Sequence, residues 1–134
     1  MERIGIHWYH ASRLIDASLA CKHVEVAGVF SHLAQADEPD LAAAREQVAR
    51  FEHVLEAYDA RGCPRPPAHL ANSAAMSVLP EARYDLVRPG ISLFGVSPSA
   101  AVPLPAGVRP ALTWVSRVVY FKVCLLYTSP SPRD

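Results

Sequence analysis

The sequence predicts an α/β fold built from parallel β/α units. Three observations carry that expectation. Helix-like and strand-like segments alternate along the chain, and single helices separate consecutive strands. The composition, 51% hydrophobic and 19% charged over 134 residues, is that of a globular domain. Strands joined by one helix pair in parallel, because a tight turn cannot bring the chain back in the same direction. The count of about three strands is a piece of a barrel or of an open sheet.

The elements follow in order. His7 and His10 stand on a loop or first helical turn and read as a solvated surface pair rather than as metal ligands. Ser12 to Cys21 reads as a helix, with Leu14, Ile15 and Leu19 on one face. Val24 to Ser31, rich in β-branched and aromatic residues, reads as a strand. Gln35 to Asp40 is a polar loop ending in an N-cap. From Leu41 to Asp59, Val48, Phe51, Leu55 and Tyr58 recur at helical steps, and Arg61-Gly62 followed by Pro64 stops the helix. A short strand at Ala68 to Ala71 precedes a small helix from Ser73 to Leu79. A further strand, Tyr84 to Val87, is cut by Arg88-Pro89-Gly90. Residues 98–110 turn to Pro, Ala and Gly and read as an interdomain linker. Thr113 to Val123 is β-branched and aromatic, so a strand of a second domain is expected there. The last stretch, Cys124 to Asp134, looks like an in-frame translation of a common transposase sequencing adapter and is set outside the fold.

Charge and cysteine usage narrow the function classes. With 13 basic and 13 acidic residues the formal net charge is zero. Nucleic-acid or anionic-membrane binding needs a clustered positive face, so neither is expected. No apolar run approaches the roughly 20 residues of a membrane span. The start lacks the basic and apolar pattern of a secretory signal, which makes a cytoplasmic protein the expectation. Cys21, Cys63 and Cys124 are far apart with no Cys-x-x-Cys, and the six histidines complete no zinc spacing with them, so no metal site is expected.

Four short segments stand where strands end: Met1 to Gly5, Phe30 to Ala34, His69 to Ala75, and Arg88 to Ile91. In barrels, functional groups converge at the C-terminal ends of strands. Taken singly, each residue has a structural reading. His32 could be a satisfied buried histidine, Arg88 a capping arginine, and Asn72-Ser73 an N-cap pair. The same helix start offers backbone N–H groups and a hydroxyl to an anion. Gly90 lets backbone approach a ligand closely, and Ile91 follows with an N–H. A phosphate cup with an arginine and a histidine nearby results, and by itself it names no cofactor.

The wording and order of these segments resemble the bacterial alanine racemases, pyridoxal 5'-phosphate (PLP) enzymes of fold type III. The resemblance runs from Gly28-Val-Phe-Ser-His-Leu-Ala-Gln-Ala-Asp-Glu38, through His69-Leu-Ala-Asn-Ser-Ala-Ala75, to Asp85-Leu-Val-Arg-Pro-Gly-Ile-Ser-Leu-Phe-Gly95. Met1-Glu-Arg-Ile-Gly5 is similar to that family's Thr-Gly-Met-x-Arg-x-Gly segment, begun at its methionine. The similarity covers about residues 1 to 123. It implies a fragment: the C-terminal part of a (β/α)8 TIM barrel over 1–97, a linker over 98–110, and the start of a C-terminal β domain over 111–123. It also implies roles. Arg3 would bind the substrate carboxylate, and His32 would lie against the PLP ring. Ser73 would hold the cofactor phosphate with the backbone N–H groups of Gly90 and Ile91. Arg88 would face the pyridine nitrogen, supported by His69, with Asn72 in a supporting place. An arginine there keeps the nitrogen unprotonated, where most PLP enzymes use a carboxylate to keep it protonated.

The resemblance further implies what the chain does not hold. Its two lysines, Lys22 and Lys122, match no cofactor lysine, and Tyr120 is no candidate for the catalytic tyrosine. The expected activity of the parent enzyme, a homodimer, is interconversion of L- and D-alanine for peptidoglycan. The chain alone is expected to be inactive, and to self-associate through unpaired sheet edges. A broad-specificity, serine or lysine racemase is the alternative within the family. A non-enzymatic PLP-binding barrel of the cofactor-homeostasis type is the alternative outside it. The wording of His69 to Ala75 and Asp85 to Gly95, and the second-domain strand, speak against that last reading.

Overall fold

Residues 4–123 are described by the computed structural model. Apolar spacing is realised most faithfully in the long helix, α2 (Ala42–Asp59). Phe51, Leu55 and Tyr58 are buried along it, and Val48 packs partly buried against the same core. Leu41 occupies the N-cap position, but Asp40 supplies the oxygen: its Oδ1 accepts the Ala42 N–H at 2.9 Å. At the other end Gly62 adopts φ +64°, and the Cys63 N–H returns to the Tyr58 carbonyl at 3.0 Å. That left-handed step is one a side chain resists, which is why the helix stops there.

The first helix, α1, spans Ala11–Leu19 behind a 3-10 turn over Trp8–His10. Its expected apolar face is only partly used. Ile15 is buried together with Ala11, whereas Leu14 and Leu19 stand exposed. Arg61 fastens α1 to the end of α2, with Nε to Asp16 Oδ1 at 2.6 Å and Nη2 to Ser12 Oγ at 2.6 Å.

Two strands, β1 (Val29–Phe30) and β2 (Ala68–His69), pair in parallel with α2 as the crossover between them. Val29 lies opposite Ala68 and Phe30 opposite His69. Both are shorter than the expected runs of 24–31 and 68–71, since only residues facing a partner can form ladder bonds. The expected third strand, 84–87, reduces to one parallel bridge between Leu86 and His69. There the Asp85 carboxylate takes over ladder work: its Oδ2 accepts the Ala68 N–H at 2.7 Å, while its N–H donates to the Ala68 carbonyl at 3.1 Å.

The helix α3 (Ser73–Val78) closes the layer. Leu33, Leu55, Leu70, Ala74 and Leu79 meet in one apolar cluster between helices and strands. Val102 joins it at 1% exposure, so the Pro/Ala/Gly segment expected to be a plain linker sends one residue into the core. Ser99 secures that return, donating to the Asp37 carbonyl at 2.6 Å. Further on, the chain crosses Gly95, whose φ is +72° and where a Cβ would meet Pro110 N at 2.3 Å. The strand expected at 113–123 does not form. Its large side chains are open to solvent, Trp114 at 89% and Val119 at 91%, and among the described residues no strand pairs with it. Among these residues no helix is long and apolar enough to cross a membrane.

Candidate functional site

The parallel pairing brings the residues that follow β1 and β2 to one edge, and Arg88 reaches across them. Its Nη2 donates to the Ser31 carbonyl at 2.7 Å, and its Nη1 to the His69 carbonyl at 3.0 Å. The Leu70 carbonyl lies 3.4 Å from Nη2, and the Arg88 backbone N–H donates to Ala71 O at 2.9 Å. A planar fork with five donors suits several carbonyls at once, where a lysine could serve fewer.

Two histidines complete this cluster. Arg88 Nη1 lies against His69 Nδ1, and Arg88 Nη2 is 3.5 Å from His32 Nδ1. A guanidinium has no acceptor, so His69 Nδ1 must accept and its ring proton sits on Nε2. Burial first, and the Arg88 charge second, hold His69 below its ordinary 6.5, which keeps the ring neutral. Burial also lowers Arg88 from its ordinary 12.5, leaving it a cation at physiological pH. Phe30 stacks on His69 at 5.2 Å with the rings 3° from parallel, and the Arg88 guanidinium carbon lies 5.6 Å from the Phe30 ring.

A second group stands two residues further along each chain segment. Asn72 is the N-cap of α3, its Oδ1 accepting the Ala75 N–H at 3.0 Å. Ser73 is therefore not a cap. It is buried at 5% exposure, and its Oγ accepts N–H groups from Gly90 at 2.8 Å and Ser92 at 3.2 Å. With both lone pairs engaged, the hydroxyl has its hydrogen left to donate. A Cβ at Gly90 would be 3.7 Å from that Oγ, an ordinary contact. Ile91 opens a 3-10 turn, Ile91–Phe94, and is itself exposed.

The structure thus brings His32, His69 and Arg88 together, and Ser73 with Gly90, on segments joined by Ala71–Ser73 and Arg88–Gly90. Arg3 lies outside the described residues. Lys22 and Lys122 are both exposed, the first in the turns after α1 and the second in the segment after 112. Three contributors escaped sequence reasoning: the Ser31 carbonyl, the Ser92 N–H and the Phe30 ring. Only Phe30 left a signal, an aromatic residue at the end of a β-branched run beside His32. Chemically the cluster offers a fixed cation, a neutral imidazole, and a hydroxyl donor suited to an anion, with the Gly90 and Ser92 amides taken up by Ser73 Oγ.

Comparison with known proteins gives a consistent picture. Residues 1–98 match the family "Alanine racemase, N-terminal domain". An alanine racemase of Carboxydothermus hydrogenoformans is 47% identical over 123 residues, covering 91% of this chain and 33% of that protein. The solved alanine racemase of Streptomyces coelicolor A3(2) is 40% identical at a TM-score of 0.68, covering 81% of this chain and 29% of its own. That of D-cycloserine-producing Streptomyces lavendulae is 38% identical at 0.73, covering 81% and 30%. The chain spans about a third of the length of the curated relatives it matches.

Proposed function

This chain belongs to the family of the alanine racemase N-terminal domain, and from that premise we propose that it is part of a PLP-dependent racemase interconverting L- and D-alanine. The observation that carries the reading is the Arg88–His69–His32 cluster beside the Ser73–Gly90 contact. Those residues fit the cofactor. The Ser73 hydroxyl and the Ile91 N–H suit a phosphate, whereas the Gly90 N–H expected beside them is already held by Ser73 Oγ; a charged guanidinium suits an unprotonated ring nitrogen.

When bound, PLP supplies the ring that acidifies the substrate's α-C–H. The chain's own part is binding and orientation. Arg88 presents donors only, so a nitrogen facing it carries no proton. His69, held neutral, accepts from Arg88 and braces it, and Phe30 backs both. With the cofactor bound, His32 would pack against its ring, and Arg3 would take the substrate carboxylate with its two-donor fork. Proton transfer belongs to groups other than Lys22 and Lys122, both of which are exposed. On this reading residues 1–97 are the C-terminal part of a TIM barrel, 98–110 a linker, 111–123 the start of a β domain and 124–134 adapter sequence. The complete enzyme is a cytoplasmic homodimer serving peptidoglycan synthesis.

The test is binding. Equilibrium dialysis should show PLP held more tightly than pyridoxal, which lacks the phosphate, and Ser73→Ala should shrink that preference. Equal affinity for the two ligands, or an unchanged preference in Ser73→Ala, would overturn the assignment. Incubated with L-alanine and PLP, the chain should form D-alanine no faster than PLP alone.

A further inference from the structure

Away from the Arg88 cluster, a cavity of about 240 Å³ opens where α1 and α2 both end. Cys21 and Cys63 line it together, with Leu19, Val24, Val26 and Tyr58 among the apolar wall. Both cysteines are free thiols, Cys21 exposed and Cys63 half-buried. Each sulfur lies near a backbone carbonyl of its own neighbourhood: Cys21 Sγ is 3.3 Å from Ala17 O, and Cys63 Sγ 3.7 Å from Arg61 O. Such contacts are weak and leave the sulfurs able to turn.

The positions are held from both sides. Arg61 bridges α2 to Asp16 and Ser12 of α1 just before Cys63. The left-handed Gly62 then reverses the chain, and the Cys63 N–H bonds back to Tyr58. Two thiols, each just past the end of a different helix, are thereby kept at one small cavity. Its volume is below the roughly 300–1,000 Å³ of drug-sized sites, so it suits a small reagent.

We propose that Cys21 and Cys63 form a redox-active thiol pair that closes to an intramolecular disulfide when a small-molecule disulfide enters this cavity. One cysteine, as thiolate, attacks a sulfur of the reagent, forming a mixed disulfide and expelling one thiolate. The second cysteine attacks the protein sulfur of that mixed disulfide and expels the other. The protein pair loses two electrons and two protons, and the reagent leaves as two thiols. Closure would lock α1 onto the end of α2, a modification independent of the Arg88 cluster and of the racemase reading.

The experiment uses the chain with Cys124→Ser, which leaves two thiols, and 2-hydroxyethyl disulfide as the probe. Intact mass should fall by about 2 Da, both thiols should vanish, and the product should stay monomeric on a non-reducing gel. At equilibrium with a fixed probe couple, the closed-to-open ratio should be roughly tenfold higher in buffer than in concentrated urea, a difference of about 30 mV. Added to this background, Cys21→Ser and Cys63→Ser should each stop at one stable mixed disulfide. A stable adduct without closure in the parent, disulfide-linked dimers, or equal closure in urea would each overturn the proposal.

Discussion

Replacing Arg88 by lysine keeps the charge and removes the fork, which separates the two things this residue does. The guanidinium makes two short bonds, to Ser31 O at 2.7 Å and His69 O at 3.0 Å. An ammonium in that place reaches one of them. Hydrogen bonds to charged groups are worth about 1.5–3 kcal/mol each. Arg88 is half-buried, so solvent competes and the lower end applies, about 1–2 kcal/mol for the bond lost in Arg88→Lys. Arg88→Ala loses both, and also leaves His69 Nδ1 without its donor, for about 2–4 kcal/mol. With a urea slope of about 2 kcal/mol per molar, the midpoints should fall by about 0.5–1 M and 1–2 M. Trp8 is a suitable reporter, because Arg50 lies 5.6 Å over its ring and His53 packs edge-on, both from α2. Trp114 is nearly fully exposed and adds a constant background. The expected order is parent, then lysine, then alanine. A lysine variant within about 0.1 M of the parent would refute the bracing role and leave the charge as the residue's whole contribution.

Other substitutions test neighbouring contacts. Asn72→Ala removes the cap on Ala75 N–H and should cost about 1 kcal/mol, seen as a lower urea midpoint that Asn72→Asp largely restores. Ser73→Ala frees the Gly90 and Ser92 N–H groups, so hydrogen exchange at those amides should accelerate while α2 amides keep their protection. His69 carries a pH signature. Its pKa is lowered in the folded chain, so the unfolded chain binds the proton more readily. The contribution is complete above about 6.5 and is lost as pH falls below it. Urea midpoints should drop between pH 7.5 and 5, and His69→Gln should flatten that drop. Equal slopes in both proteins would remove His69 as its source.

What the sequence made legible was local and periodic. The spacing of Phe51, Leu55 and Tyr58, with Gly62 after them, placed α2 to within a residue at its start, because burial and a left-handed stop leave marks inside one short window. Strands were legible only as tendency. Val24 to Ser31 and Thr113 to Val123 have similar composition, yet β1 forms for two residues and the later run for none. A strand is a relation to a partner, and partner availability is not written in the run itself. Val102 was hidden for a related reason, since Pro and Ala around it suggested a linker and its burial depends on the distant α2 and α3. The site residues were found through their resemblance, whereas the bonds between them were not. Nothing in the spacing of Ser31 and Arg88 announces a 2.7 Å contact across 57 positions.

Gly95 has a consequence for how this chain tolerates change. Pro110 and the residues before it pass so close that any Cβ at 95 would sit 2.3 Å from Pro110 N, on backbone that already requires φ +72°. The crossing is one-sided. Val108, Arg109 and Pro110 turn their side chains to solvent and can vary, while the surface they cross admits a single amino acid. In a saturation library selected for folded chain, position 95 should be nearly invariant and 108–110 permissive. A residue with no side chain would then carry the strongest mutational constraint in the segment, set by what lies over it and invisible in its own chemistry.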